Sequence, residues 1–275
     1  MDEAMDDPQC AAVCICVENN MHELMVQQAL AAGKHVCVEY PVALDLESAH
    51  ALFELADKHK LILHVEHIEL MSGSYRALRE QVLNHRSPCL RAQFGFCGPL
   101  LPDGWGWIAH AGIARLHRIR DMFGEDLQIR DFMFLRGIGA AADKSSIDAG
   151  EAESMSVTFR NSAGADILWT EWRSPGLSRA NTVNFKFTDK SEILEMPKVP
   201  NSVPLFLGDL EIFLQKVSAP ACSRKMPATK AHAPAGWQTK GSARIQRCDH
   251  VVLGYGKPPA GTFHQVRCVA LVRQD

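Results

Sequence analysis

The stretch His35-Val36-Cys37-Val38-Glu39-Tyr40-Pro41 decides the architecture of this chain. A short strand-like run stops at a residue–proline pair, and an amphipathic pattern opens a few residues later at Asp45. That is how a βα unit presents groups at the carboxyl end of a parallel strand, the edge at which open α/β sheets bind ligands. Glu39 and Tyr40 are therefore candidate site residues, against the plainer alternative of a βα turn in which Tyr40 only packs.

Working outward, Ala12–Val17 is an apolar run of strand length, followed by a helical pattern from His22 to Ala32 with Gly33 as its stop. Downstream, Asp45–Lys58 reads as a helix with Asp45 at its N-cap, and Leu61–Glu66 as a third strand. Beyond Leu70 the rhythm changes. Helices are expected near Ser74–Asn84 and Gly112–Phe123, and strands near Cys89–Cys97, Leu127–Leu135, Ser154–Arg160, Ala165–Trp172 and Thr182–Thr188. Consecutive strands without helices between them imply antiparallel pairing. The expected fold is thus an α/β partial Rossmann unit, a parallel sheet with helices, plus an α+β domain with a mostly antiparallel sheet. The expected boundaries are 1–70, 71–219 and a basic, Pro-rich tail over 220–275 that packs poorly.

Composition narrows the function classes. Of the 275 residues, 47% are apolar and 22% charged, which suits a globular chain, and no apolar run is long enough to span a bilayer. The acidic start, Met1-Asp2-Glu3, is unlike a secretion signal, so a cytoplasmic location is expected. Nine cysteines without C-x-x-C spacing read as reduced, structural thiols. The net charge of -3 conceals an asymmetry, because from Pro220 onward nine Lys/Arg face two acids. Those charges are dispersed and the aromatics Trp237, Tyr255 and Phe263 widely spaced, so no nucleic-acid partner is expected. Cys248, His250, His264 and Cys268 have an uncommon spacing for a zinc site, and no metal ligands are assigned.

The runs Cys14-Ile15-Cys16-Val17-Glu18-Asn19-Asn20-Met21-His22, Ala31-Ala32-Gly33-Lys34-His35-Val36 and Glu39-Tyr40-Pro41 resemble the nicotinamide-dependent glucose-fructose oxidoreductase and inositol dehydrogenase superfamily. Tyr40, where that superfamily usually carries lysine, and His64-Val65-Glu66-His67-Ile68-Glu69-Leu70 resemble the biliverdin reductases within it. Gly112-Ile113-Ala114-Arg115-Leu116, Phe123-Gly124-Glu125, Ser174-Pro175-Gly176-Leu177 and Val183-Asn184-Phe185 extend the likeness over roughly residues 10 to 218.

The resemblance implies hydride transfer from NADPH or NADH to the central methine of a linear tetrapyrrole, with a proton delivered to a pyrrole nitrogen. It implies Tyr40, Glu39, Glu66, Glu69 and Arg115 as catalytic residues. Glu18, Asn19, Asn20, His22, Glu39 and Tyr40 are implied at the cofactor, and Arg115 and Arg179 at the substrate. Plainer alternatives are a solvated helix entry for Glu66 and Glu69, and pairing of Arg115 with Asp121 or Glu125. In this superfamily a Gly-rich turn holds the pyrophosphate. Here Cys10 already opens what resembles the fourth strand, and Gly137–Ala142 reads as a loop. The chain as written is accordingly expected to reduce its substrate weakly or not at all. A non-catalytic variant that keeps only the substrate domain is the second reading, and a sugar or polyol dehydrogenase the third.

Overall fold

The protein, described here from a computed structural model, is defined over residues 2–102, 104–136, 152–195 and 202–219. The expectations for 220–275 and for Gly137–Ala142 fall outside these described residues. Over the described residues the chain divides into two compact units: one up to Glu66 joined by 208–219, and one from His67 to Leu207. Among the described residues no helix is long and apolar enough to cross a membrane.

In the first unit, helix α1 (Asp2–Asp6) precedes β1 (Ala12–Ile15), α2 (Asn19–Ala31), β2 (His35–Val38), α3 (Leu46–His59) and β3 (Leu63–Val65). The three strands pair in parallel in the order β1-β2-β3, with Val13 opposite Val36 and Val36 opposite Leu63. Side chains alternate across the sheet. Val13, Ile15, Val36, Val38 and Leu63 face one core, which Val26, Ala29, Leu30, Leu52 and Ala56 of α2 and α3 complete. Gly33 ends α2 at φ 75°, where the Lys34 amide donates back to Ala29 O, and glycine alone takes that left-handed turn without penalty. Asp45 caps α3 by accepting from the Ser48 amide at 2.8 Å.

The other face of this sheet is covered by α7 (Ser202–Ser218), whose Phe213 and Val217 bury against Ala12, with Cys37 and Ile62 alongside. The second unit ends at Leu207, and the chain beyond it returns because the sheet face opposite α2 and α3 needs an apolar cover.

The second unit contains a short 3-10 turn (Ile68–Leu70), α4 (Gly73–Leu83), β4 (Cys89–Gly98), α5 (Ile108–Ala111), α6 (Ile113–Phe123), β5 (Gln128–Arg136), β6 (Glu153–Arg160), β7 (Asp166–Arg173), β8 (Ala180–Phe187) and β9 (Glu192–Glu195). Its sheet runs β5-β6-β7-β4-β8-β9 and is antiparallel except between β4 and β7. Tyr75, Leu78 and Val82 of α4 and Ile119 and Met122 of α6 pack on Phe94, Ile167, Trp169 and Phe185. Burying each such side chain is worth roughly 1.5–3 kcal/mol, which outweighs the modest propensity of the individual strands.

Candidate active site

In the first unit the site grows from the carboxyl ends of the parallel strands. Val38 pairs with Val65, and the ladder runs one step further, the Glu66 amide donating to Val38 O at 2.9 Å. Glu39 and Glu66 thus leave adjacent strand ends at one edge. Glu66 is buried, whereas Glu39 and Tyr40 are half-buried. Burial pushes the Glu39 carboxyl above its ordinary value, with His22 opposing the shift.

His22, fully buried on α2, supports that edge. Its Nδ1 lies 2.6 Å from Pro41 O and its Nε2 3.1 Å from Val17 O, which ties the chain leaving β1 to the turn after β2. The Tyr40–Pro41 peptide is cis. At the start of α2, Glu18 and Asn20 are exposed and Asn19 is buried. Both ring nitrogens of His22 face carbonyl oxygens, which makes it a brace for the turn.

Beneath the same sheet, Lys216 Nζ lies 2.9 Å from His64 Nδ1, and His64 Nε2 2.9 Å from Asp209 Oδ2. An ammonium can only donate, so His64 accepts at Nδ1 and donates from Nε2 to the carboxylate. Burial lowers the Lys216 pKa, while Asp209 opposes the shift. Nothing in the local sequence announced this chain of contacts, because its members lie far apart along the sequence.

In the second unit Arg115 and Glu69 are both buried, on different sides of α6. The Arg115 Nε donates to Glu171 Oε1, which also accepts from Trp169 Nε1 at 2.9 Å. Arg173 donates to Glu171 Oε2 at 3.3 Å and to Pro99 O at 3.3 Å. The Phe96 ring is shared by two guanidiniums, Arg115 Cζ at 4.2 Å from its centroid and Arg173 Cζ at 4.6 Å. Burial depresses the Arg173 pKa, with Glu171 opposing and the charges of Arg115 and Arg179 adding to the depression. Two arginines therefore share one buried carboxylate, and the charge of Arg179 reaches Arg173, leaving a net positive site suited to an anion.

The alternative pairings expected for Arg115 are corrected. Asp121 is held by Arg79 of α4 at 2.7 Å and Glu125 by Arg120 at 2.9 Å, whereas Arg115 reaches the β7 face. Glu66 and Glu69 are buried, so a solvated helix entry is excluded. Glu171, Arg173 and Trp169 were missed by sequence reasoning, although a signal existed. Along β7 the core-facing positions are Ile167, Trp169, Glu171 and Arg173, an apolar alternation that turns charged at its carboxyl end.

A family model for oxidoreductases with an NAD-binding Rossmann fold matches residues 1–67, and one for the catalytic region of biliverdin reductase matches residues 75–200. The chain is 32% identical over 232 residues to biliverdin reductase A of Homo sapiens, spanning 84% of this chain and 73% of that protein. It is 31% identical over 231 residues to biliverdin reductase A of Mus musculus, spanning 84% and 74%. A crystal structure of biliverdin reductase with biliverdin and NADP+ from Synechocystis sp. PCC 6803 superposes with a TM-score of 0.62 at 22% identity, over 82% of this chain and 75% of that one. A 3-ketoreductase from Actinomadura kijaniata with NADP and TDP-benzene gives 0.61 at 16%, over 83% and 75%. At such identities the structural likeness speaks for the fold.

Proposed function

This chain belongs to the biliverdin reductase family, and from that premise we propose that it is an NAD(P)H-dependent oxidoreductase that reduces the central methine of a biliverdin-like tetrapyrrole. The observation that carries the reading is the kinship with biliverdin reductase A along both units. The arginine cluster supports it, because a linear tetrapyrrole with two propionates asks for cationic donors beside an aromatic face. We assign Arg115, Arg173 and Arg179 to the propionates and Phe96 to that face.

The nicotinamide dinucleotide implied by the Rossmann family fits the residues present at its nicotinamide end. The strand edge bearing Glu18, Asn19, Asn20, Glu39 and Tyr40 offers polar groups, and none of the chain's residues is assigned to the pyrophosphate. Bound there, NADH or NADPH would supply the hydride. Tyr40 donates a hydrogen bond from its hydroxyl, and His22 holds the turn that aims it. Glu39, whose carboxyl burial raises above its ordinary value, is assigned the proton transfer toward a pyrrole nitrogen, with Glu66 at the neighbouring strand end beside it.

The test separates binding from turnover. The full chain is mixed with biliverdin and its visible absorption titrated; NADH or NADPH is then added and bilirubin formation followed. Tetrapyrrole binding that Arg179→Leu weakens about tenfold, the worth of one charge-assisted pair, is the expected result. Equal binding by the variant, or preference for a sugar or polyol substrate, would overturn the proposal.

A further inference from the structure

Among the described residues two groups bring three metal-ligating side chains together: Cys37, His64 and Asp209 in the first unit, and His67, Glu69 and His117 in the second. The first is already complete without an ion. His64 uses one ring nitrogen on Asp209 and the other on Lys216, whose ammonium supplies the cation.

The second is different. Glu69 sits in the 3-10 turn after β3 and is 5% exposed, and its Oε1 meets Nδ1 of His117 on α6. Its other oxygen, Oε2, is buried with no hydrogen-bond partner among the described residues. A carboxylate oxygen taken from water without a partner costs roughly 1–3 kcal/mol or more, so this one asks for a positive group. The His67 ring stands edge-on to His117 at 4.2 Å between centroids, and the donor atoms of all three residues lie within 4.8 Å of one another.

We propose that His67, Glu69 and His117 form a binding site for a divalent transition-metal ion, zinc by the nature of its ligands. Two imidazoles and one carboxylate are the protein ligand set of open zinc sites, with a fourth position left to water or a ligand. Bonds of about 2.0–2.2 Å hold the ligands of a tetrahedral ion roughly 3.3 Å apart, so small side-chain rotations close the set. The ion takes the place of the proton between Glu69 and His117 and gives Oε2 its counter-charge. The backbone favours this arrangement. His67 and Glu69 belong to one tight turn, and His117 projects from a helix whose Ile119 and Met122 are anchored in the core. The site stands independently of the reductase reading, since no part of its argument uses tetrapyrrole or dinucleotide chemistry.

The test uses the full chain and cobalt(II) as the probe, because its spectrum reports ligand type. One equivalent should give visible d–d bands without the near-ultraviolet charge-transfer band of a cobalt–thiolate bond, and zinc should displace it. His117→Ala and the milder His117→Asn and His67→Asn should each weaken binding at least about tenfold. His64→Ala should leave it unchanged. Circular dichroism of each variant establishes that it is folded. Unaltered affinity in folded His117→Asn and His67→Asn, a thiolate band accounting for the tight binding, or no binding at all would overturn the proposal.

Discussion

Replacing Glu171 by glutamine should be among the most damaging single-atom changes in the second unit. The side chain is 0% exposed, and its guanidinium partners are 10% exposed at Arg115 and 5% at Arg173. Glutamine keeps the volume and one acceptor oxygen, which can still take Arg115 and Trp169. Its amide nitrogen, however, falls where Oε2 accepted from Arg173, so a donor meets a donor, and two buried guanidiniums lose the charge of the carboxylate they share. Removing one partner of a buried ion pair costs about 3–5 kcal/mol; with one oxygen retained, about 3 kcal/mol is expected. Urea unfolding followed by tryptophan fluorescence measures it, because Trp105, Trp107, Trp169 and Trp172 all belong to this unit. At a slope of about 2 kcal/mol per molar the midpoint should fall by roughly 1.5 M. Asp166→Asn, which loosens the half-exposed pair with Arg160, should cost no more than about 1 kcal/mol. Equal midpoints for Glu171→Gln and the parent would refute the inference that this carboxylate neutralises buried charge.

Gly112→Ala should destabilise the second unit by about 1–3 kcal/mol in thermal unfolding, because its methyl would press into the Trp169 ring and sit 2.8 Å from Glu171 Oε1. Phe213→Ala should cost about 3–5 kcal/mol and raise hydrogen exchange at the β1–β3 amides, since the ring is 1% exposed beneath that sheet. Glu39→Gln should stabilise the first unit near neutral pH. A carboxyl whose folded pKa is raised contributes stability fully present below its ordinary 4.5 and lost as pH rises through the folded value, so the variant's advantage should vanish toward pH 4 in native-state exchange at Val38.

Much of this protein can be read from local pattern. The three early strands, the Gly33 stop and the Asp45 cap are local events, set by a few neighbouring residues. Consecutive strands announced the antiparallel sheet, but not that β4 pairs in parallel with β7, a choice made by packing between residues far apart in sequence. The helix over Ser202–Ser218 was obscured by Pro204 and Gly208, which ordinarily punctuate helices. Pro204 lies in the first turn, where its missing N–H has no helical acceptor to satisfy. The site followed the same division. Glu39, Tyr40 and Glu66 stand at strand ends and were visible as such, whereas the partner that Arg115 takes, Glu171, is 56 residues away and depends on sheet register.

The placement of α7 has a consequence for biogenesis. The strands β1–β3 leave the ribosome well before the segment that covers their second face, with roughly 136 residues intervening between Val65 and Ser202. At synthesis rates of about 5–20 residues per second, that delay is on the order of 10 s. During it Ala12, Cys37 and Ile62 present an uncovered apolar surface, and Cys14 and Cys37 sit opposite each other on neighbouring strands with their thiols open to oxidants. Nascent chains stalled before Ser202 should therefore bind chaperones more strongly, and react faster with thiol reagents at these two cysteines, than chains released at full length.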